Sequence, residues 1–154
     1  MAEQGKSLKA RAAELLSRRE YTRQELFRRL APFADSEEQL ETVLDELAAA
    51  DWQSDGRFAQ QFASSKGAKF GSRRLAQEMR QRGVDSETIR EALTGQNDLA
   101  SAREQWRKKF GRPPADAAEK AKQYRFLAQR GFPSDVIRQV LARGADDDFD
   151  FPED

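Results

Sequence analysis

Neither histidine nor cysteine occurs in the 154 residues. Imidazole and thiolate metal sites, cysteine nucleophiles, histidine general bases and disulfides are thereby excluded. Catalysis would fall to carboxylates, lysine, serine, threonine or tyrosine. No nucleophile elbow or metal motif is present. Residues 67–74 are basic and contain glycine, yet they lack the Gly-Lys-Ser/Thr ending of a phosphate-binding loop. Long apolar runs are missing as well: none approaches the ~20 residues of a membrane span. Residues 1–19 hold no apolar core of a secretory signal. The expectation is a non-enzyme with no catalytic residues, no cofactor, no metal and no membrane partner. The lack of cysteine suits the cytoplasm.

Net charge is also missing, with 27 basic residues against 27 acidic ones. Taken whole, that balance argues against a polyanionic partner. Resolved along the chain it does not. Residues 1–29 carry net +4, residues 30–56 carry eight acids and no base, residues 57–145 carry net +10, and residues 146–154 carry six acids and no base. The zero therefore belongs to a charge-segregated chain. Its last nine residues, Asp-Asp-Asp-Phe-Asp-Phe-Pro-Glu-Asp, cannot bury enough apolar surface to fold alone, and they read as a disordered acidic tail. A sharper reading makes the tail a mimic of nucleic-acid charge. Phe149 and Phe151 would then be anchors, and the tail would mask a basic surface of the same chain or dock on a partner.

What is present is helical periodicity. The patterns predict helices near residues 8–19, 23–31, 37–50, 56–66, 73–82, 86–94, 98–110, 116–130 and 134–143. Thr22 with Glu25 and Ser36 with Gln39 fit capping boxes. Asp55, Ser72 and one of Asp85 or Ser86 are candidate N-caps. Gly83 and Gly131 suit left-handed positions just past helix ends. Hydrophobic residues make up 38% of the chain and charged ones 35%, so the fold must offer much surface.

The helices repeat. A shift of 48 places Phe58 on Trp106, Phe62 on Phe110, Met79 on Leu127, Gly83 on Gly131, Ile89 on Ile137 and Leu93 on Leu141. A shift of 49 places Tyr21 on Phe70, Leu26 on Leu75 and Leu30 on Met79. Three three-helix units follow, at 1–54, 55–96 and 97–145, ahead of the tail. The expected architecture is all-α, three tandem repeats in an elongated, curved array. The matched apolar residues read as the small cores of the units.

Basic residues cluster in two places. Lys66, Lys69, Arg73 and Arg74 flank the turn between the fourth and fifth helices. Arg103, Arg107, Lys108 and Lys109 crowd the seventh. With Arg57, Arg82 and Arg130 they are the candidate contacts to a polyanion or an acidic protein face. Solvated helix faces are the plain alternative. Arg82 and Arg130, each in a last helical turn, also complement the negative helix end.

Residues 54–93 are the most informative. They contain Asp55, Arg57, Phe58 and Ala59, then Gly67, Phe70, Gly71, Arg73, Arg74 and Leu75, then Arg82, Gly83 and Val84. This resembles the central repeat of the RecX family, with its acidic residue and Arg-Phe-Ala start, glycine-containing basic turn, Arg-Ile/Leu helix and Arg-Gly-Val/Ile stop. Gly56 and Leu75 depart from the commoner residues without altering that logic. The first unit resembles the family's opening helix pair through Leu15, Leu16, Tyr21, Thr22, Glu25 and Leu26. The third does so through Tyr124, Phe126, Leu127, Arg130, Gly131 and Phe132. The resemblance spans residues 8–143. It implies a structural motif of Asp55, Phe58, Gly67, Gly71, Leu75, Gly83 and Gly131. It also implies a monomeric regulator that binds the RecA filament on single-stranded DNA and damps its recombinase, ATPase and co-protease activities, in DNA repair, recombination and the SOS response. Weak direct DNA binding accompanies that expectation. The rival readings are a sequence-independent DNA-binding protein and a helical scaffold for another protein partner.

Overall fold

The structure is a computed structural model that describes residues 5–146. Among these, nine α-helices and one 3-10 turn are found, and no strand. The helices are α1 (Leu8–Leu16), α2 (Arg23–Leu30), α3 (Glu37–Ala49), α4 (Asp55–Lys66), α5 (Ser72–Gln81), α6 (Ser86–Ala92), α7 (Asp98–Lys109), α8 (Ala117–Gln129) and α9 (Ser134–Asp146), with the 3-10 turn Ala31–Phe33 after α2. The expectations for residues 147–154 lie outside the described residues.

Helix bounds follow the sequence signals closely. Thr22 and Glu25 form the full capping box ahead of α2. Ser36 caps α3, but Gln39 reaches the Asp35 amide and so does not close the box. Asp85 caps α6 through the Thr88 amide. Gly83 and Gly131 both sit at φ +93°. The amides that follow them close matching Schellman bonds, Val84 to Met79 and Phe132 to Leu127. The first helix is shorter than expected: Ser17 ends it, its hydroxyl donating to the Glu14 carbonyl at 2.7 Å.

By packing, the chain falls into two compact units. One comprises residues up to 61 together with 79–92; the other comprises 62–78 together with residues from 93 onward. The first has a core of Leu8, Ala12, Tyr21, Leu26, Leu30, Leu40, Leu44 and Leu47. The second has a core of Ala102, Leu127, Phe132, Ile137, Val140 and Leu141, with Trp106, Tyr124 and Phe126 packed at its edge. Phe58, Phe62, Leu75, Met79 and Ile89 are buried as expected. Leu93, Trp106 and Phe110 are only half-buried.

Each unit contains the same polar clamp. In the first, the carboxylate of Asp55 accepts from the Arg23 amide at 2.9 Å, the first N–H of α2. Gln53 Nε2 donates to that carboxylate at 2.9 Å and to the Tyr21 carbonyl at 3.2 Å. In the second, Asp98 accepts from the Ser72 amide at 2.9 Å and from the Ser72 hydroxyl at 2.5 Å. Gln96 Nε2 donates to Asp98 at 3.2 Å and to the Phe70 carbonyl at 3.1 Å. A Gln-x-Asp motif thus satisfies orphan donors at the start of a helix earlier in the chain. This corrects two expected caps. Asp55 does not cap its own helix: the Ser54 hydroxyl does, accepting from the Arg57 amide at 3.0 Å. Ser72 gives its hydroxyl to Asp98, and α5 starts from the Gly71 carbonyl.

The same helix starts meet the ends of others. The Thr22 hydroxyl donates to the Arg82 carbonyl at 2.7 Å. The Gly71 amide donates to the Arg130 carbonyl at 2.8 Å, and the Arg73 amide to the Gly131 carbonyl at 3.0 Å. A Cβ on Gly71 would stand 2.6 Å from the Phe132 Cα, and one on Gly131 would stand 2.6 Å from the Arg74 amide nitrogen. Only glycine permits this backbone approach.

Two stability predictions follow from the clamp and the crossing. Gly71→Ala should cost about 1–3 kcal/mol or more, because backbone and not a flexible side chain stands in the way. Asp98→Ala should cost about 1–3 kcal/mol through the uncapped amide, whereas Asp98→Asn, which keeps an acceptor, should retain most of that. Urea denaturation of the full chain measures both.

Candidate polyanion-binding groove

The basic clusters read from the sequence converge only in part. The groove they form lies in the second compact unit and has a volume of about 490 Å³. Its lining is Ala68 and Lys69 from the turn after α4, Gln105, Lys108 and Lys109 from α7, and Phe126 and Arg130 from the end of α8. Four cations and no carboxylate line it.

Polar side chains of α7 fix the turn that carries Lys69. Ser101 donates to the Gly67 carbonyl at 2.8 Å and Gln105 to the Ala68 carbonyl at 3.2 Å. Gln96, ahead of α7, also donates to Gly67 at 2.9 Å. Gly67 is buried, and a Cβ there would lie 2.6 Å from the Ala63 carbonyl oxygen. The turn is therefore pinned onto α7, and Lys69 is brought toward Lys108 and Lys109. The buried Gln123 of α8 ties the other wall. It accepts from the Trp106 indole at 2.8 Å and donates to the Arg112 carbonyl at 3.1 Å.

Arg130 is held in place before any ligand arrives. Its guanidinium donates to Gln105 at 3.1 Å and lies 4.8 Å from the Phe126 ring centroid. The Phe110 ring meets Phe126 nearly perpendicularly, centroids 5.4 Å apart. Lys109 sits 5.6 Å from the Phe126 ring. Such contacts orient cations without neutralising them. Among the described residues, Lys69, Lys109 and Arg130 form no ion pair. Lys108 approaches Glu104 only at 4.0 Å, while Glu104 is closed on Arg107 at 2.6 Å.

The other expected site residues do not line this groove. Arg57 donates to Glu20 at 2.7 Å and to the Asp51 and Trp52 carbonyls at 3.1 and 3.0 Å. The Glu20 hydrogen bond raises its pKa. Arg82 leans on Glu25 at 3.6 Å. Arg74 pairs with Glu78 at 2.9 Å and covers the Phe70 ring at 4.1 Å. Arg107 hydrogen-bonds Glu104 at 2.6 and 3.2 Å and so holds that carboxyl below its usual range. Lys66 lies 5.5 Å from the Phe62 ring, Arg73 is exposed, and Arg103 is half-buried with Nε lacking a hydrogen-bond partner. Sequence reasoning did not single out Gln105 or Phe126 as site residues. Among the described residues, no cluster of acidic side chains could hold a metal ion, and no helix is long and apolar enough to cross a membrane.

Comparison with known proteins places this geometry. Residues 54–93 match the model for the second three-helix domain of RecX, and residues 96–141 match that for the third. The Regulatory protein RecX of Chromobacterium violaceum is 87% identical over 149 residues, covering 97% of this chain and 98% of the relative. That of Neisseria meningitidis serogroup B is 49% identical over 143 residues, covering 92% and 94%. The crystal structure of RecX from Lactobacillus salivarius superposes with a TM-score of 0.77 at 18% identity, covering 90% of this chain and 94% of that one, a likeness of fold. With its helical repeats, paired Arg-Gly helix ends and near-complete coverage by these relatives, the chain belongs to the RecX family.

Proposed function

We propose that the chain binds the RecA filament on single-stranded DNA and inhibits or modulates its recombinase, ATPase and co-protease activities. The observation that carries this reading is the groove, where Lys69, Lys108, Lys109 and Arg130 converge with no carboxylate in the lining. A filament offers both phosphates and acidic protein faces to such a surface. Family membership supports the partner, since the relatives are regulators named for RecX. The three sequence units, 1–54, 55–96 and 97–145, belong to the same proposal. Successive units engaging successive protomers would add avidity to weak single contacts. The protein acts as a cytoplasmic monomer and needs no cofactor.

Direct, sequence-independent DNA binding is the second reading, and one observation favours it. Arg130 lies over the Phe126 ring and Phe110 meets it in a T-shaped contact, so the groove presents cations more than a free stacking platform. Phosphates fit it better than bases, and phosphate contacts carry no sequence information.

The test is RecA ATPase on single-stranded DNA titrated with this protein. Lys108→Glu with Lys109→Glu should raise the half-inhibitory concentration by about tenfold or more. Unchanged potency would remove the groove from the proposal. Arg74 is a poorer probe, because a glutamate there would face Glu78 and disturb α5. Inhibition should also weaken steeply as salt rises from about 50 to about 300 mM, by counterion release and screening. Stronger binding to bare DNA than to RecA-coated DNA would favour the second reading.

A further inference from the structure

The acidic C-terminal segment is left unused by the function above. Residues 146–154 carry six carboxylates, no cation and two phenylalanines. We propose that residues 147–154 are an intramolecular occupant of the groove lined by Lys69, Lys108, Lys109, Phe126 and Arg130, competing there with any external anion. The proposal rests on the preceding one only in taking the groove as a working surface; the docking itself is a property of the isolated chain.

Charge complementarity is the first argument. The groove gathers four cations, three of them without an ion pair among the described residues. The one nearby carboxylate, Glu104, is committed to Arg107. Several basic side chains elsewhere are already paired: Lys6 meets Glu14, Lys9 meets Glu46, and Arg23 meets both Glu41 and Asp45. Four cations gathered in one concave lining favour an anionic segment there.

Apolar matching is the second argument. Phe149 and Phe151 are two apart, so in an extended chain they fall on one face, roughly 7 Å from each other. Asp148 and Asp150 then face the other way. Phe126 and Ala68 supply apolar lining, and the cations stand among them. A segment of mere solubilising charge would have no use for two large aromatic residues.

Reach is the third. Helix α9 ends at Asp146 and packs on α7 and α8, the two helices that supply most of the groove. Eight further residues span up to about 26–29 Å when extended. That exceeds the roughly 20 Å by which the 13-residue α9, starting just past Arg130, carries the chain away from the end of α8. Tethering at such range gives an effective concentration on the order of millimolar, so even weak intrinsic contacts would keep the groove occupied.

The experiment compares the full chain with a full-length variant whose tail is neutralised, Asp147→Asn, Asp148→Asn, Asp150→Asn, Glu153→Gln and Asp154→Asn. In amide NMR spectra the differences should gather at Ala68, Lys69, Gln105, Lys108, Lys109, Phe126 and Arg130, and should fade as salt rises to about 500 mM. Differences confined to the end of α9, or spread without preference, overturn the proposal. In parallel, a fluorescein-labelled oligothymidylate should bind the neutralised variant about three- to tenfold more tightly at low salt. That gain should vanish when Lys108→Glu and Lys109→Glu are added. Equal binding by both tails also overturns it. If the spectra report docking while Lys108→Glu/Lys109→Glu still inhibits RecA at full potency, the docking stands and the groove's assignment to the filament falls.

Discussion

The Gln-x-Asp clamp is the constraint on which the rest of the molecule depends. A helix start exposes amides that need acceptors, and burying them unpaired is costly. Here Asp55 and Asp98 reach back along the chain to supply those acceptors, and Gln53 and Gln96 hold the carboxylates in position. Gln53 is itself buried, so its amide is committed and not solvating. With helix starts tied by side chains, glycine at 71 and 131 lets the end of α8 come close enough to bond the start of α5 through the backbone, while past Gly83 the Thr22 hydroxyl makes the corresponding bond to the Arg82 carbonyl. Short helices of seven to thirteen residues, which could not persist alone, are thereby made to share their ends.

The groove inherits its geometry from this arrangement. Gln96 belongs to the clamp and also binds the Gly67 carbonyl, at the start of the turn that carries Lys69. One side chain thus serves both the fold and the site. Lys69, Lys109 and Arg130 meet neutral partners, an amide and aromatic rings, and only Lys108 nears a carboxylate, at 4.0 Å. Arg57, Arg74 and Arg107, by contrast, are held by Glu20, Glu78 and Glu104. The difference separates basic residues that shape the protein from those with charge left to offer a partner.

Much of the fold was legible in the sequence. Helix periodicity, the Thr22 box and the paired glycines are local signals, and the structure follows them within a few residues. The clamp was not legible, because Asp55 looks like any N-cap when read against its own helix. Its partner, the Arg23 amide, lies 32 positions away, and the two motifs recur at a spacing of 43 where the apolar repeat uses 48. The cationic clusters were visible as runs, but convergence is a tertiary property. Lys69, Lys108 and Arg130 meet only because a turn is pinned to α7. Phe126 entered only through the third unit's family resemblance, and its half-buried place in the groove depends on Arg130 and Phe110 beside it.

The interleaving of the two compact units has a consequence for how the protein is made. The first unit draws on residues up to 61 and again on 79–92. Its core, Leu8 to Leu47, is complete once the first sixty residues emerge, but residues 79–92 join it only later. Thr22 must wait for the Arg82 carbonyl, and by then residues 62–78 are already outside the tunnel without their own partners, Asp98, Arg130 and Gly131. Synthesis thus imposes a period in which the basic turn around Lys69 is exposed and unpinned. Its maturation into a shaped site is among the last events of the chain's assembly, set by the arrival of α7 and α8.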